Sequence, residues 1–197
     1  MDRSSAEVAR LFNAHDHAAG SNRGELVYPG YPGLVVAGGM VTQMSWGFPL
    51  VLTSKKTGQP LKPKPVNNAR TDKLDTFMWR DSFYNRRCLI PLTGFCEAEG
   101  EKGCMTRTWI SLPHDEVFAA AGIWRDSAEW GQVYSMVMTD SCPSTAEVHD
   151  RMPVILAPGD YATWTEGDAE ATLALCVPWS GECSIDRTLD PWFAKRG

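Results

Sequence analysis

Val8, Leu11 and Phe12 recur at helical spacing behind Ser4, Ser5 and Glu7. Ser4 and Glu7 have the spacing of a capping box, so the chain opens on a short amphipathic helix that ends before Gly20. The pattern then changes. Glycine and proline dominate from Gly20 to Gly39, with Tyr28-Pro29-Gly30-Tyr31-Pro32-Gly33 marking turns. Leu34 to Ala37 and Met40 to Met44 read as short strands of a hairpin around Gly38-Gly39. Thr53 to Pro65 is a Lys/Pro/Gly loop, and Thr71 is placed to cap a one- to two-turn helix burying Leu74, Phe77 and Met78.

From Arg86 onward the apolar positions are β-branched or aromatic and come in short runs between turn residues. Cys88 to Leu92, Arg107 to Leu112, Val117 to Ile123 and Gln132 to Met138 are predicted strands, the last with clean period-two alternation. Val154 to Leu156 adds a short strand, and Pro158-Gly159-Asp160 starts a helix ahead of Tyr161 and Trp164. These elements make an α+β fold, mainly antiparallel, with a curved or barrel-like β-sheet and short peripheral helices.

Length sets the frame for that sheet. At 197 residues with 43% hydrophobic and 22% charged side chains, residues 1–197 read as a single domain. Such a domain buries enough apolar surface to fold without metal or disulfide staples. No run approaches the ~18 apolar residues of a membrane helix. Charges and histidines occupy the first twenty positions where a signal peptide has an apolar centre, so the expectation is a cytoplasmic protein with no membrane partner. Six cysteines with no CxxC pair read as free thiols.

The net charge of -5 conceals an asymmetry: residues 55–107 hold eleven basic and six acidic side chains, whereas residues 108–197 hold five and fourteen. The basic island is either a solvated loop or a phosphate-binding strip.

Several residues could carry chemistry. His149-Asp150-Arg151-Met152-Pro153 places an imidazole able to exchange a proton near neutral pH two residues from a guanidinium able to clamp a phosphate. The plainer reading is a histidine satisfying backbone groups at a strand entrance. Glu97 follows the apolar run Cys88 to Cys96, where desolvation would raise its pKa and suit it to proton transfer. It could equally begin an exposed acidic loop, Glu97 to Gly103. Asn68-Ala69-Arg70, in a loop, could face a polyanion, and Trp46-Gly47-Phe48-Pro49 either plugs the core or offers a stacking face to a base. No phosphate loop, HExxH, GxSxG or zinc-spaced Cys/His cluster is present, which removes most support for nucleotide hydrolysis and zinc chemistry.

In order and spacing, Trp46-Gly47, Asn68-Ala69-Arg70, Arg86-Arg87-Cys88-Leu89-Ile90-Pro91 with Gly94-Phe95 and Glu97, and Thr139 through His149-Asp150-Arg151-Met152-Pro153 resemble the SOS-response-associated peptidase (SRAP) family. The resemblance covers about Glu7 to Trp164. It implies a sensor of abasic sites in single-stranded DNA that crosslinks itself to the damaged sugar through an amino-terminal cysteine exposed when the initiator methionine is removed. It thus implies self-cleaving peptidase and lyase-like activity in the DNA damage response. By the same resemblance Glu97 assists methionine removal and proton transfer, His149 exchanges protons with the opened sugar, and Asn68 and Arg70 hold the amino terminus and the DNA backbone. Arg151 binds phosphate, Trp46 supports the strand by stacking, and Arg87 lies on the DNA face. No metal or organic cofactor is implied. The partner is single-stranded DNA with abasic sites, and the protein is expected as a monomer that joins the nucleoid on damage.

The chain departs from that family in two places. Position 2 is Asp2 and no cysteine precedes Cys88, so the aminothiol is missing. Family members often begin Met-Cys a few residues before a second methionine and the first helix. The expectation is therefore a truncated amino terminus, its rival a genuine variant that binds single strands without crosslinking. The second departure is Cys96-Glu97-Ala98, where the family usually has Tyr-Glu-Trp. A different class, a thiol protease using Cys96 or Cys142 with His149, would need a low thiol pKa beside the imidazole.

Overall fold

In the computed structural model, which describes residues 3–21 and 24–193, Ser4 caps the first helix as its spacing predicts. The Ser4 hydroxyl accepts from the Glu7 backbone N–H and the Glu7 carboxylate accepts from the Ser4 N–H, starting α1 (Ser5–Leu11). A two-residue strand β1 (His15–Asp16) follows, then the hairpin of β2 (Pro32–Ala37) and β3 (Met40–Trp46). Gly38 and Gly39 sit at φ 56° and 72°, the left-handed pair that a two-residue turn with Ala37 opposite Met40 demands.

Between the hairpin and the next long strand, the sequence pattern and the structure diverge. Thr53 to Pro65 is largely a loop, but its end enters β5 (Lys64–Val66), which pairs with β4 (Phe48–Leu50). Asn68-Ala69-Arg70 is not a loop but β6 (Asn68–Arg70), laid parallel to a later strand. Thr71 opens a 3₁₀ turn, Thr71–Lys73, without a side-chain cap, instead of a helix. The face therefore shifts: Leu74 is 2% exposed as expected, whereas Phe77 is 103% exposed and Trp79 turns inward in its place. The helix itself comes later, as α2 (Arg80–Asn85).

Five strands follow, all but the second expected from sequence: β7 (Arg87–Leu92), β8 (Phe95–Glu99), β9 (Thr106–Ser111), β10 (Phe118–Ser127) and β11 (Gly131–Asp140). Glu97 lies inside β8, paired with Thr108, and does not begin a loop. After β12 (Arg151–Pro153) and β13 (Ile155–Leu156), Pro158–Asp160 forms a 3₁₀ turn leading into α3 (Tyr161–Glu166). Beyond α3 come α4 (Ala169–Ala174) and β14 (Ser184–Pro191), neither with a sequence forecast.

The protein is mostly strand, 41% against 16% helix, around a closed barrel of five strands. In order these are β3, β2, β7, β10 and β11, with antiparallel neighbours except where β3 meets β11 in parallel to close the ring. Period-two alternation sorts their side chains. Leu34, Val36, Leu89, Ala121, Val133 and Val137 face outward against Val8, Trp79, Phe83 and Trp164, while Val35, Cys88, Ile90, Tyr134, Met136 and Met138 fill the inside. Trp164 is fully buried and its Nε1–H is shared between the carbonyls of Cys88 (3.0 Å) and Gly122 (3.2 Å), which fixes α3 to the barrel wall.

A second sheet, β14-β9-β8, attaches through a third cluster in which Phe95 and Ile110 pack against Val148 and Met152. This contact positions the chemistry, because it fastens the strand carrying Glu97 to the segment carrying His149 and Arg151. Among the described residues no helix is long and apolar enough to cross a membrane.

Candidate functional site at the open end of the barrel

Where the barrel interior meets the second sheet, a cavity of about 510 Å3 opens. Its floor is the inward face of the barrel (Ile90, Leu92, Tyr134, Met136, Met138), and β8 and β9 supply Cys96, Glu97, Arg107 and Trp109. Trp46 and Asn68 complete the wall on the β3 and β6 side, so three of the residues expected from sequence, Trp46, Asn68 and Glu97, line one space.

Trp46 is fixed on both edges. Its Nε1–H donates to the Asn67 carbonyl at 3.0 Å, and its ring lies 6.5 Å from Tyr134 at 13°, a stacked pair. The following Gly47 has φ 117°, and a Cβ there would sit 2.5 Å from Pro65 Cβ, so only glycine lets β5 close over this turn. On β6, Asn68 and Arg70 are two residues apart and hence share a face, opposite Met136 and Met138 of β11. Asn67 Nδ2 donates to Asn68 Oδ1 at 3.2 Å.

Glu97 is the cavity's one carboxyl among the described residues, and its proton affinity is altered. Burial pushes its carboxyl above the usual carboxylate range; the nearby His149 imidazole pulls it down and the Asp150 carboxylate pushes it further up. His149 does not line the cavity wall but stands within electrostatic reach of Glu97. In the neutral ring, its Nδ1 accepts the Arg151 backbone N–H at 3.0 Å, which places the ring proton on Nε2. In the protonated ring, Nδ1–H faces Asp150 Oδ1 and the Arg151 carbonyl, both at 3.2 Å. The histidine thus does satisfy backbone groups, and it does so with one nitrogen only.

Arg70 and Arg151 stand at the rim. Met138 pairs with Arg70 and Asp140 with Arg151, which brings the two guanidinium groups to the same end of β11. Arg70 is held by Asp72 through Nε at 2.8 Å and Nη2 at 2.7 Å, and Arg151 makes only a 4.0 Å approach to Asp140. The Arg70 hydrogen bonds hold Asp72 below its usual range, with Arg151 a minor contributor.

Arg87 is elsewhere and does not line the cavity. It projects from the opposite face of β7 to Ile90, and its guanidinium donates to the carbonyls of Phe83 (2.7 Å), Tyr84 (3.2 Å), Trp164 and Gly167. With those donors engaged, it ties α2 and α3 to the barrel.

The site also contains residues that sequence reasoning missed: Arg107, Trp109, and Trp192 with Phe193 beyond β14 all line the cavity. Period-two alternation along Thr106–Ser111 was a usable signal for Arg107 and Trp109, since they share a face. Cys96 lines the cavity, but burial pushes its thiol up to about 11; the Cys142 thiol is held below its usual range, against the effect of burial, by the Ser144 and Thr145 hydroxyls at 3.1 and 3.3 Å. Neither thiol is hydrogen-bonded to His149 among the described residues, which counts against a thiol protease. The expectations about the amino terminus fall on Met1 and Asp2, outside the described residues.

Residues 2–186 match a family model described as SOS response associated peptidase (SRAP). Among curated proteins no match is found. Solved structures share the fold: a protein from Bordetella bronchiseptica (19% identity, 94% of this chain and 95% of that one, TM-score 0.76) is similar. So is a protein from Bacteroides thetaiotaomicron (18%, 95% and 89%, 0.74). A phage-related protein from Bordetella bronchiseptica is a further likeness (17%, 94% and 91%, 0.66).

Proposed function

The chain belongs to the SOS response associated peptidase family, and from that premise we propose that it binds single-stranded DNA at abasic sites and, when its first residue is a cysteine, seals the lesion in a covalent crosslink. The observation that carries this reading is Glu97, a half-buried carboxyl with raised proton affinity, lining an aromatic cavity within reach of an imidazole. That combination suits proton transfer at a sugar lifted out of the base stack.

The ring-opened abasic sugar presents an aldehyde. An α-amine adds to it and water leaves, giving an imine; the thiol of the same residue then adds across the C=N bond and closes a five-membered thiazolidine. Neutral Glu97 supplies the proton that lets hydroxide leave as water, and the resulting carboxylate can take one back. His149, with its Nε2 unengaged by Arg151, exchanges a proton with the opened sugar. Because amine and thiol sit on one residue, the second step is intramolecular and gains effective concentration. Asn68 positions the amino terminus, Trp46 stacks, and Arg70 and Arg151 hold phosphates at the rim. Release of an initiator methionine ahead of the cysteine would use the same Glu97 carboxyl.

The alternative on the same scaffold is a single-strand binder that does not crosslink. The two are separated by incubating an abasic single strand with the chain as given and with a version beginning Met-Cys ahead of the first helix. The extended protein is expected to lose its methionine and form a heat-stable adduct, and the chain as given to form at most a borohydride-trappable imine. Glu97→Ala or His149→Ala in the extended protein should slow the adduct by about 10²- to 10⁴-fold. No adduct from the extended protein would leave only the non-crosslinking reading.

A further inference from the structure

The matched family region ends at residue 186, yet the chain beyond it returns to the cavity. β14 pairs with β9, the Thr188 hydroxyl donates to the Arg107 carbonyl at 2.8 Å, and the Trp192 N–H donates to the Met105 carbonyl at 2.9 Å. These bonds bring Trp192 and Phe193 alongside Arg107. The two rings meet edge to face, 6.5 Å apart at 80°, and form a corner with Phe193 69% exposed. Arg107 is the only basic side chain lining the cavity among the described residues, and no carboxylate pairs with it there. An unpaired guanidinium beside an open aromatic corner matches the two parts of a nucleotide, a charged phosphate and a flat base.

We propose that Arg107, Trp192 and Phe193 form a nucleotide subsite at the cavity mouth, where one base of the single strand stacks on the aromatic corner and its phosphate is held by the guanidinium. The subsite rests on the single-strand reading above and adds a contact outside the family region. A stacked base is sequence-tolerant, so the subsite gives affinity for strands that carry bases without choosing among them.

The test compares two labelled strands of equal length, oligothymidylate and a base-free strand of tetrahydrofuran spacers, across a salt series. The parent is expected to prefer oligothymidylate by at least roughly fivefold, the lower end for one stacked base. Trp192→Ala with Phe193→Ala should cut that preference by roughly fivefold or more, leaving the share due to Trp46, at an unchanged salt slope, and Trp192→Phe with Phe193→Tyr should keep it, excluding misfolding as the cause. Arg107→Ala should keep the base preference and lower the salt slope by about 0.7, the value for one phosphate on a single strand. A preference undiminished by the double alanine change, or binding that tightens because the tail had covered the cavity, overturns the subsite alone. Absence of binding by the parent to either strand overturns the single-strand reading as well.

Discussion

Arg87 on the barrel strand β7 and Arg107 on β9 of the second sheet have opposite surroundings. Arg87 faces the outer layer, where carbonyls from Phe83, Tyr84, Trp164 and Gly167 receive its donors. Arg107 faces the open end of the barrel, where no carboxylate pairs with it among the described residues. Trp164 and Trp192 repeat the contrast: one is fully buried with its N–H shared by two carbonyls, the other is half-buried at a cavity mouth. Satisfied polar groups locate the structural layer, and unsatisfied ones locate the surface still able to bind.

The largest effect expected from this contrast is on Arg87→Ala. Removing the guanidinium strands half-buried carbonyls at the α2–α3 junction, each worth about 1–3 kcal/mol when left unmade. A loss of about 3 kcal/mol or more should lower Tm by roughly 6–12 °C for a domain of this size, measured by calorimetry. Arg87→Lys should not restore it, since an ammonium cannot reach several carbonyls in fixed planar directions. Single-strand affinity per folded molecule and its salt slope should be unchanged; a lowered slope would return Arg87 to the DNA face.

Arginines at the rim should behave the other way round. Arg70→Ala and Arg151→Ala should each weaken single-strand binding by roughly tenfold, about 1.4 kcal/mol, and lower the salt slope by about 0.7 with little change in Tm. The bidentate pair with Asp72 makes a sharper test, because that carboxylate competes with phosphate for Arg70. Asp72→Asn should therefore tighten binding at low salt. Wild-type slopes in both arginine variants would remove the rim from the interface.

How far these roles were legible beforehand follows the range of the forces involved. The capped helix, the Gly38-Gly39 hairpin and the strands around Ile90, Ile123 and Met136 are written locally, in caps, turns and period-two alternation. Short pieces were not legible: β6 has no strand signature of its own and exists because β11 offers it an edge, and β8 keeps Glu97 extended only because β9 pairs with it. Phe77 read as buried because a helical period was assumed where the chain makes a 3₁₀ turn. Within the site, Trp46, Asn68 and Glu97 were found through ordered motifs. Arg87 sits in an equally good motif, and only the three-dimensional placement of the Trp164 and Gly167 carbonyls distinguishes its role. Trp192 was missed because nothing near it in sequence marks a cavity; β14 carries it there.

The smallest expected effect concerns Glu97 itself, and it separates a carboxyl tuned by burial from one that merely sits near a histidine. Burial is the leading reason its proton affinity is raised in the fold, and no such penalty exists in the unfolded chain. For an acid whose folded pKa lies above its unfolded one, the folded state binds the proton more tightly. The associated stability is fully present below the ordinary carboxyl range, near pH 4, and is lost as pH rises through the folded value. Glutamine keeps the shape and never ionises. Glu97→Gln should therefore match the parent in Tm at acid pH and exceed it at neutral pH, by about 2–4 °C for each kcal/mol of relieved desolvation. His149 works against this: where the imidazole is protonated it favours the carboxylate, so the advantage should grow in the His149→Ala background. A Glu97→Gln protein less stable than the parent at neutral pH would mean that the ionised pair with His149 outweighs burial. Proton donation to the opened sugar would then pass from Glu97 to the imidazolium.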